Sequence, residues 1–266
     1  MGDRAQPSGH QTMSDISFAR DGAVAIVTID RPPHNHVSVE LMRDLADTLD
    51  RVDADAALRV TVLAAAGKSF CAGADLVAPS GLGAASNGIQ SLYDQAVRLF
   101  SAKKPIIAAV QGAAVGAGLG LALVADFRIA APEARFAANF VKLGFHPGFG
   151  ITHTLPRLIG AQKAALMCLT GRRVKAEDAL AWGLADQVVP MNELRAAAVA
   201  LACEIAENAP LAVTATRATL RRGLADAVKA QTALELNEQT WLRKTADFAE
   251  GVRAVQERRP GKFTGA

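Results

Sequence analysis

The chain has 266 residues, of which 50% are hydrophobic and 21% charged, with a formal net charge of +3. This length and hydrophobicity suffice to bury one large core, and the small net charge argues against a nucleic-acid partner. Residues 1–15 are polar and lack the apolar run of a signal peptide, so we expect a flexible N-terminal tail and a cytoplasmic protein. The cysteines are odd in number and widely spaced, which favours neither a disulfide framework nor a metal site: Cys71, Cys168 and Cys203.

Alternating apolar residues over 22–30 predict the first strand, which ends at Arg31-Pro32-Pro33. The next residues, His34-Asn35-His36, offer two imidazoles without a nearby third ligand, so we expect no metal there. The pattern further predicts a helix that is N-capped by Ser38 and runs to about Val52. It predicts strands over 60–65, 106–110 and 127–131. It also predicts a helix over 89–101 and further helices from residue 192 onward.

The segment 105–126, PIIAAVQGAAVGAGLGLALVAD, is the most distinctive part of the chain. It predicts a buried strand, a tight loop and the start of a buried helix. The first amides of a helix lack partners within the helix, so such a loop can hold an oxygen that becomes negative during a reaction. Its composition and Gln111 argue against a membrane span, and Leu121 breaks the dinucleotide-binding pattern. Close helix packing through small residues is the alternative interpretation.

A second segment, KSFCAGADL over 68–76, also follows an apolar strand. The phosphate-binding P-loop motif would need glycine at position 62, where this chain has valine. Two strand–loop units that each end in exposed amides can together hold one oxygen.

The combination of FCAGADL at 70–76 and VQGAAVGAGL at 110–119 resembles the enoyl-CoA hydratase/isomerase family, also called the crotonase superfamily. The resemblance runs from about Ala23 to Phe263. It implies an α/β fold, a crotonase-like spiral of repeated ββα units over 16–200, with a C-terminal helical trimerisation region over 201–266. It also implies a homotrimer or a dimer of trimers that acts on an acyl-CoA thioester. Coenzyme A would enter only as part of the substrate, with no permanent cofactor and no membrane partner.

The resemblance assigns roles to individual positions. The backbone amides of Ala74 and Ala117 would stabilise the thioester carbonyl as an enolate, with Gly73 and Gly116 beside them in the substrate pocket. The positions implied for coenzyme A binding are Pro33, His34, Ala72, Asp75, Leu76, Lys262 and Phe263.

The departures from the family concern the acid/base residues. The two hydratase glutamates fall on Gly120 and Phe140, and the aspartate of some isomerases falls on Gly148. Each such group typically contributes about 10²–10⁴-fold, so we expect inefficient hydration. Replacing both Gly120 and Phe140 by glutamate is expected to raise crotonyl-CoA hydration. His146 is the remaining candidate base in this segment, with a packed histidine at the pocket wall as the alternative.

Two classes of function stay open. The chain is either an enzyme that uses the enolate for isomerisation, thioester hydrolysis, decarboxylation or carbon–carbon cleavage, or a catalytically weak acyl-CoA carrier or regulator.

Overall fold

In a computed structural model, the described residues are 15–74 and 88–266. The strands are β1 (Ile16–Asp21), β2 (Val24–Ile29), β3 (Val60–Ala65), β4 (Ile106–Val110), β5 (Ala113–Val115), β6 (Phe127–Ala130), β7 (Arg135–Ala137), β8 (Val174–Lys175) and β9 (Gln187–Val188). The helices are α1 (Val39–Ala54), α2 (Gly88–Phe100), α3 (Ala117–Val124), α4 (Ile151–Ile159), α5 (Ala161–Thr170), α6 (Ala176–Trp182), α7 (Leu194–Ala206), α8 (Pro210–Leu220), α9 (Leu224–Leu242) and α10 (Ala246–Gln256). Two short 3₁₀ helices cover Asn139–Leu143 and Met191–Glu193.

Six strands form the main sheet, in the order β1-β2-β3-β4-β6-β9. β1 and β2 are antiparallel, and every later neighbour is parallel. A second sheet of three short strands, β5-β7-β8, lies where the chain leaves β4 and β6. Parallel neighbours need crossovers, and here the helices and the small sheet provide them.

The central strands are mostly apolar because both faces of the main sheet are buried. One face of β3 presents Val60, Val62 and Ala64 to α7, which contributes Leu194, Ala198 and Ala202. The opposite face joins the larger core, which α1, α2, α3 and α4 share. Because side chains alternate between the two faces along each strand, they contribute to two separate hydrophobic layers.

The observed architecture confirms the predicted α/β crotonase-type fold and most element positions. Ser38 caps α1 by accepting a hydrogen bond from the Leu41 amide at 3.2 Å, although the helix runs on to Ala54. α8 begins at Pro210. The N–H of a first helical residue has no acceptor within the helix, so proline, which lacks this N–H, is tolerated there. β1 had not been predicted, because its side chains are mostly exposed and give no clean apolar alternation.

The proposed boundary between residues 200 and 201 falls inside α7, which packs continuously against the main sheet. The expected N-terminal tail lies almost wholly outside the described residues. Within the described residues, no single helix combines enough length and apolarity to cross a membrane. Met191–Ala206 and Pro210–Leu220 reach that threshold only as a pair, and the pair is bent by 106°.

Candidate functional site

The two segments singled out in the sequence lie side by side. Cys71 donates its amide hydrogen to Ala113 O at 2.8 Å, and Val115 donates to Cys71 O at 3.1 Å. The start of α3 packs directly on the same segment, since a Cβ built on Gly118 would lie 2.0 Å from Cys71 O. Glycine at 118 is therefore a steric requirement of this contact.

In the described part of the chain, two backbone amides have no protein partner where these segments meet. A Cβ built on Gly73 would lie 2.6 Å from Val115 O and 3.6 Å from Ala117 N. Among the described residues, neither the amide of Ala74 nor that of Ala117 has a hydrogen-bond acceptor. Ala117 is the first residue of α3, whose N-cap Gly116 carries no side chain to satisfy it.

Asn35 sets the position of the first of these segments. Its side-chain amide donates to Ala66 O at 2.9 Å and to Ser69 O at 2.8 Å, while its Oδ1 accepts from Arg31 N at 2.8 Å. Asn35 is buried and has a φ of 55°, a left-handed conformation that asparagine tolerates better than most residues. One polar side chain thus joins the loop after β2 to the loop after β3.

A cavity of about 680 Å³ opens beside the two free amides. Its wall is mainly aliphatic and aromatic, with a few polar groups, which is the usual make-up of a small-molecule site. Of the described residues that line it, none is an aspartate or a glutamate. They include His34, His36, Ala72, Gly73, Ala74, Ile89, Leu92, Tyr93, Gly116, Ala117, Asn139, Phe140, Leu143, Phe145, Gly148, Phe149, Gln239, Val252 and Val255.

Comparison with known proteins agrees with this arrangement. The sequence profile described as "Enoyl-CoA hydratase/isomerase" matches residues 19–266. The chain belongs to the enoyl-CoA hydratase/isomerase family.

Relatives within the family carry different activities in their names. The chain is 41% identical over 257 residues to a probable enoyl-CoA hydratase of Mycobacterium tuberculosis, covering 91% of this chain and 98% of the relative. It is 36% identical over 260 residues to the 1,2-epoxyphenylacetyl-CoA isomerase of Escherichia coli, covering 94% and 98%. The crystal structure of carnitinyl-CoA hydratase from Mycobacterium avium superposes with a TM-score of 0.85 at 34% identity, covering 96% and 100%.

The first hydratase position, Gly120, does not line the cavity. A Cβ built on it would lie 2.5 to 2.8 Å from three carbons of Phe149. Phe149 is fully buried, lines the cavity itself and holds a φ of 65°, which is strained for an aromatic residue. The ring of Phe149 therefore occupies the space that a side chain at position 120 would need, and the pocket role of Gly120 stays a prediction.

The other two acid/base positions do line the cavity. Phe140 is 8% exposed and places its ring end 3.8 Å from a Cβ built on Gly116. At Gly148, a Cβ would lie 1.8 Å from the hydroxyl of Tyr93 and 2.6 Å from Nε2 of Gln239. Two other side chains therefore occupy the space where an isomerase aspartate would begin.

His146 faces a different cavity. It lines a neighbouring pocket of about 490 Å³ together with Thr152, Cys168 and Trp241. Its Nδ1 lies 2.7 Å from Pro147 O, so this nitrogen carries the proton and donates. Its assignment as a catalytic base in the substrate pocket is therefore not supported by its position.

The residues implied for coenzyme A fall into two groups. His34 and Ala72 line the main cavity, and the His34 carbonyl already accepts the Ala72 amide at 3.1 Å. Pro33 is exposed beside them. Lys262 and Phe263 are exposed on the C-terminal segment, where the Lys262 amide donates to Glu250 at 2.9 Å. Asp75 and Leu76 lie outside the described residues.

Sequence reasoning missed three residues that shape the cavity. Tyr93 is the single tyrosine of the chain, and its hydroxyl donates to Gln239 Oε1 at 2.8 Å. Burial raises the pKa of Tyr93, so the phenol stays protonated at neutral pH. Phe149 stands between two glycines, which was the one visible sign of an unusual backbone at this point.

Glu235 fixes the loop that carries Phe149. It is fully buried on α9, and its carboxylate accepts from Gly150 N at 2.7 Å, Thr152 N at 3.0 Å and Thr152 Oγ1 at 2.5 Å. Burial raises its pKa, against the opposing effect of these donors. This buried acid lies behind the cavity wall, where it orients the backbone at the start of α4.

The cysteines do not form a reactive centre. Cys71 is completely buried beside the two amides, and burial raises its pKa to about 12. A thiol with that pKa is a poor nucleophile at neutral pH. All three cysteines are unpaired, and no cluster of three metal-ligating side chains occurs in the part of the chain that is described.

Proposed function

We propose that this protein binds an acyl-CoA thioester with its carbonyl oxygen between the amides of Ala74 and Ala117. The amides would stabilise the enolate formed when the α carbon loses a proton, or when an α-carboxylate leaves as carbon dioxide and its bonding electrons stay on the α carbon. Electrostatic stabilisation of this kind is often the largest single contribution to catalysis.

One observation carries the proposal. Two backbone donors have no acceptor among the described residues, and the residues that carry them line the same cavity. Ala117 is buried and Ala74 is half-buried. An unsatisfied buried amide costs about 1–3 kcal/mol, so an external acceptor at this place would be favourable. The family relationship supports a thioester carbonyl as that acceptor.

The reaction we favour is an isomerisation, thioester hydrolysis, decarboxylation or carbon–carbon cleavage rather than efficient hydration. Hydration by the two-glutamate route needs one group to activate water and another to protonate carbon. Here those positions hold Gly120 and Phe140, and the first is further blocked by Phe149. A decarboxylation or a substrate-assisted isomerisation needs fewer proton-transfer groups from the protein side chains.

The described residues that line the cavity include no carboxylate, and this supports a second candidate, a catalytically weak acyl-CoA carrier or regulator. Such a protein would keep the binding cavity and the amide pair without turning over its ligand.

A panel of thioesters distinguishes the two. The protein is incubated with saturated, 2-enoyl, 3-enoyl, malonyl-type and 3-oxoacyl-CoA esters, and products are followed by mass spectrometry. Turnover above about 1 s⁻¹ on one class supports the enzyme and names its reaction, since this is the lower end of ordinary enzyme rates. Binding of the same esters without any product supports the carrier. Failure of every ester to bind would refute both.

We further propose that the chain assembles as a homotrimer or a dimer of trimers. Large apolar side chains are exposed on the C-terminal helices, among them Leu211 at 85%, Leu220 at 70% and Trp241 at 55%. Exposed apolar residues of this size are typical of interaction surfaces when they occur together. The exposed Lys262 and Phe263 would then be available to a neighbouring subunit's coenzyme pocket. Light scattering of the purified protein tests the assembly.

A further inference from the structure

The carbonyl of Gly73 and the amide of Ala74 belong to one peptide group, so the groups that hold the carbonyl also aim the amide. Gly73 O lies 2.9 Å from the Val37 amide nitrogen, which donates to it, and 3.1 Å from Nδ1 of His36. A carbonyl oxygen can only accept, so Nδ1 of His36 carries the proton of this hydrogen bond. The two donors together occupy both lone pairs of Gly73 O.

The geometry of this peptide group sets the direction of the Ala74 N–H. Among the described residues, the one cis peptide bond joins Pro32 to Pro33, so the bond between Gly73 and Ala74 is trans. In a planar trans peptide the C=O and N–H bonds point in opposite directions. The Ala74 N–H consequently points away from residues 36 and 37, and no described residue accepts it.

His36 is the part of this arrangement that depends on a side chain. The Val37 amide would be present with any residue except proline at position 37, whereas the second donor to Gly73 O needs a suitable side chain at position 36. The ring of His36 is half-buried and lines the cavity, and its backbone is held by Arg31, whose Nη1 donates to His36 O at 2.5 Å. Because linked hydrogen bonds polarise one another, a donor on the Gly73 carbonyl makes the Ala74 N–H a stronger donor.

We propose that His36 is a positioning residue for the enolate: its Nδ1–H fixes and polarises the peptide group that presents the Ala74 amide. The proposal rests on the proposed function, because it takes a thioester carbonyl as the acceptor of that amide. The negative charge on this oxygen grows as the enolate forms, so a stronger donor stabilises the enolate more than it stabilises the bound ester. His36 therefore acts mainly on the rate of the chemical step and less on binding.

Three substitutions at position 36 test this role. His36→Ala removes the donor, and His36→Asn keeps an amide N–H close to the place of Nδ1. His36→Gln carries its amide one carbon farther out, near the place of Nε2. On the ester that the panel identifies, kcat of His36→Ala should fall about 3- to 10-fold, the range for one net hydrogen bond, while KM changes by less than about twofold. His36→Asn should recover most of the loss, and His36→Gln should not.

His153→Ala is the matched control. His153 is also half-buried, but it lies on α4 and is not among the residues that line the cavity. Its replacement removes the same chemical group from the protein without touching Gly73. Both kcat and KM of His153→Ala should stay at the values of the parent.

The carbonyl stretching band of a bound ester gives a measurement that does not need turnover. Hexanoyl-CoA, isotopically labelled at its carbonyl carbon, is added to the full-length protein and followed by difference infrared spectroscopy. Hydrogen bonds from the two amides should move the band of the parent complex to lower wavenumber. The shift should be smaller in His36→Ala and His36→Gln, and should be retained in His36→Asn and His153→Ala.

The outcomes separate this proposal from the proposed function. An unchanged band shift and an unchanged kcat in His36→Ala would overturn the role of His36 and leave the amide pair in place. Equal losses in His36→Ala and His36→Asn would overturn it as well, because packing and not the donor would then matter. If hexanoyl-CoA does not bind to the parent, or binds without any shift of its band, the proposed function fails and the role of His36 fails with it.

Discussion

The two sides of the cavity differ in what the protein supplies. One side consists of backbone: the amides of Ala74 and Ala117, held together by hydrogen bonds between segments 71–74 and 113–118. The other consists of side chains at or near positions 120, 140 and 148, where the chain has Gly120, Phe140 and Gly148. The first side offers two backbone donors to a ligand, whereas the described residues of the second offer aromatic and amide groups.

This difference shows how one fold can change its chemistry. Backbone donors depend on close approach of two segments, and a larger residue at Gly118 would collide with Cys71 O. Side chains that face the cavity can be exchanged without moving the backbone. Binding of the carbonyl can therefore be retained while proton transfer is altered.

Restoring glutamates on the side of the cavity that consists of side chains should have the largest effect on activity. Gly120→Glu with Phe140→Glu is not expected to suffice, contrary to the sequence-based expectation, because Phe149 lies within 2.8 Å of the new Cβ. Adding Phe149→Gly clears that space and suits the φ of 65°. We expect crotonyl-CoA hydration, followed by loss of enoyl absorbance, to rise by at least about 10²-fold in the triple variant.

Phe149→Gly alone is the matched control and should not gain hydration. Circular dichroism must show that the triple variant is folded, since removing a buried phenylalanine costs about 3–5 kcal/mol. An equal gain in the double variant would mean that Phe149 is no obstacle. A folded triple variant without any gain would contradict the assignment of positions 120 and 140.

Removing one amide donor from the side of the cavity that consists of backbone should have the next largest effect on activity. Ala117→Pro deletes the amide hydrogen at the first position of α3, where proline is well tolerated in helices. We expect kcat/KM on the substrate found in the panel to fall about 10²–10³-fold. Ala117→Ser keeps the amide and should stay within a few-fold of the parent. Equal losses in both variants would point to packing rather than to the donor.

The smallest expected effect comes from removing Glu235, the buried acid behind the cavity wall. Glu235→Ala leaves Gly150 N and both donors of Thr152 unpaired, so the free energy of unfolding should fall by about 2–3 kcal/mol at pH 7. Denaturant titration measures this loss. A change below about 0.5 kcal/mol would show that water replaces the carboxylate there.

The pH dependence of Glu235 has a defined sign. Its pKa is raised above the ordinary value of 4.5 in the folded protein, mainly by burial. The stability that it contributes is complete below the unfolded pKa and is lost as the pH rises through the folded pKa. The stability of the parent relative to Glu235→Gln should therefore decline from pH 4 upwards. An increase over the same range would mean that the three donors outweigh burial.

Much of the backbone half could be predicted from the sequence. Strand and helix periods placed β3, β4 and α3, and the glycine spacing in 112–120 indicated a close approach. These features depend on residues close together in the chain, so the local sequence pattern can predict them. Ser38 as an N-cap and Pro210 as a first helical residue belong to the same class.

The side-chain half could not be predicted in the same way. Tyr93 and Gln239 are 146 positions apart, and only the packing of α2 against α9 brings them together. Phe149 fills the space of residue 120 because of a left-handed backbone that its own sequence does not favour. His146 illustrates the converse, since residues that are neighbours in sequence can face separate cavities.

Asn35 has a consequence for how such a chain can diverge. Its short side chain spans a fixed gap between Arg31 and two carbonyls, Ala66 and Ser69, that follow β3. The number of residues between that strand and Ala74 is thereby constrained, because one inserted or deleted residue would rotate the Ala74 amide away. Exchanges of side chains in this stretch should be accepted more readily than changes in its length.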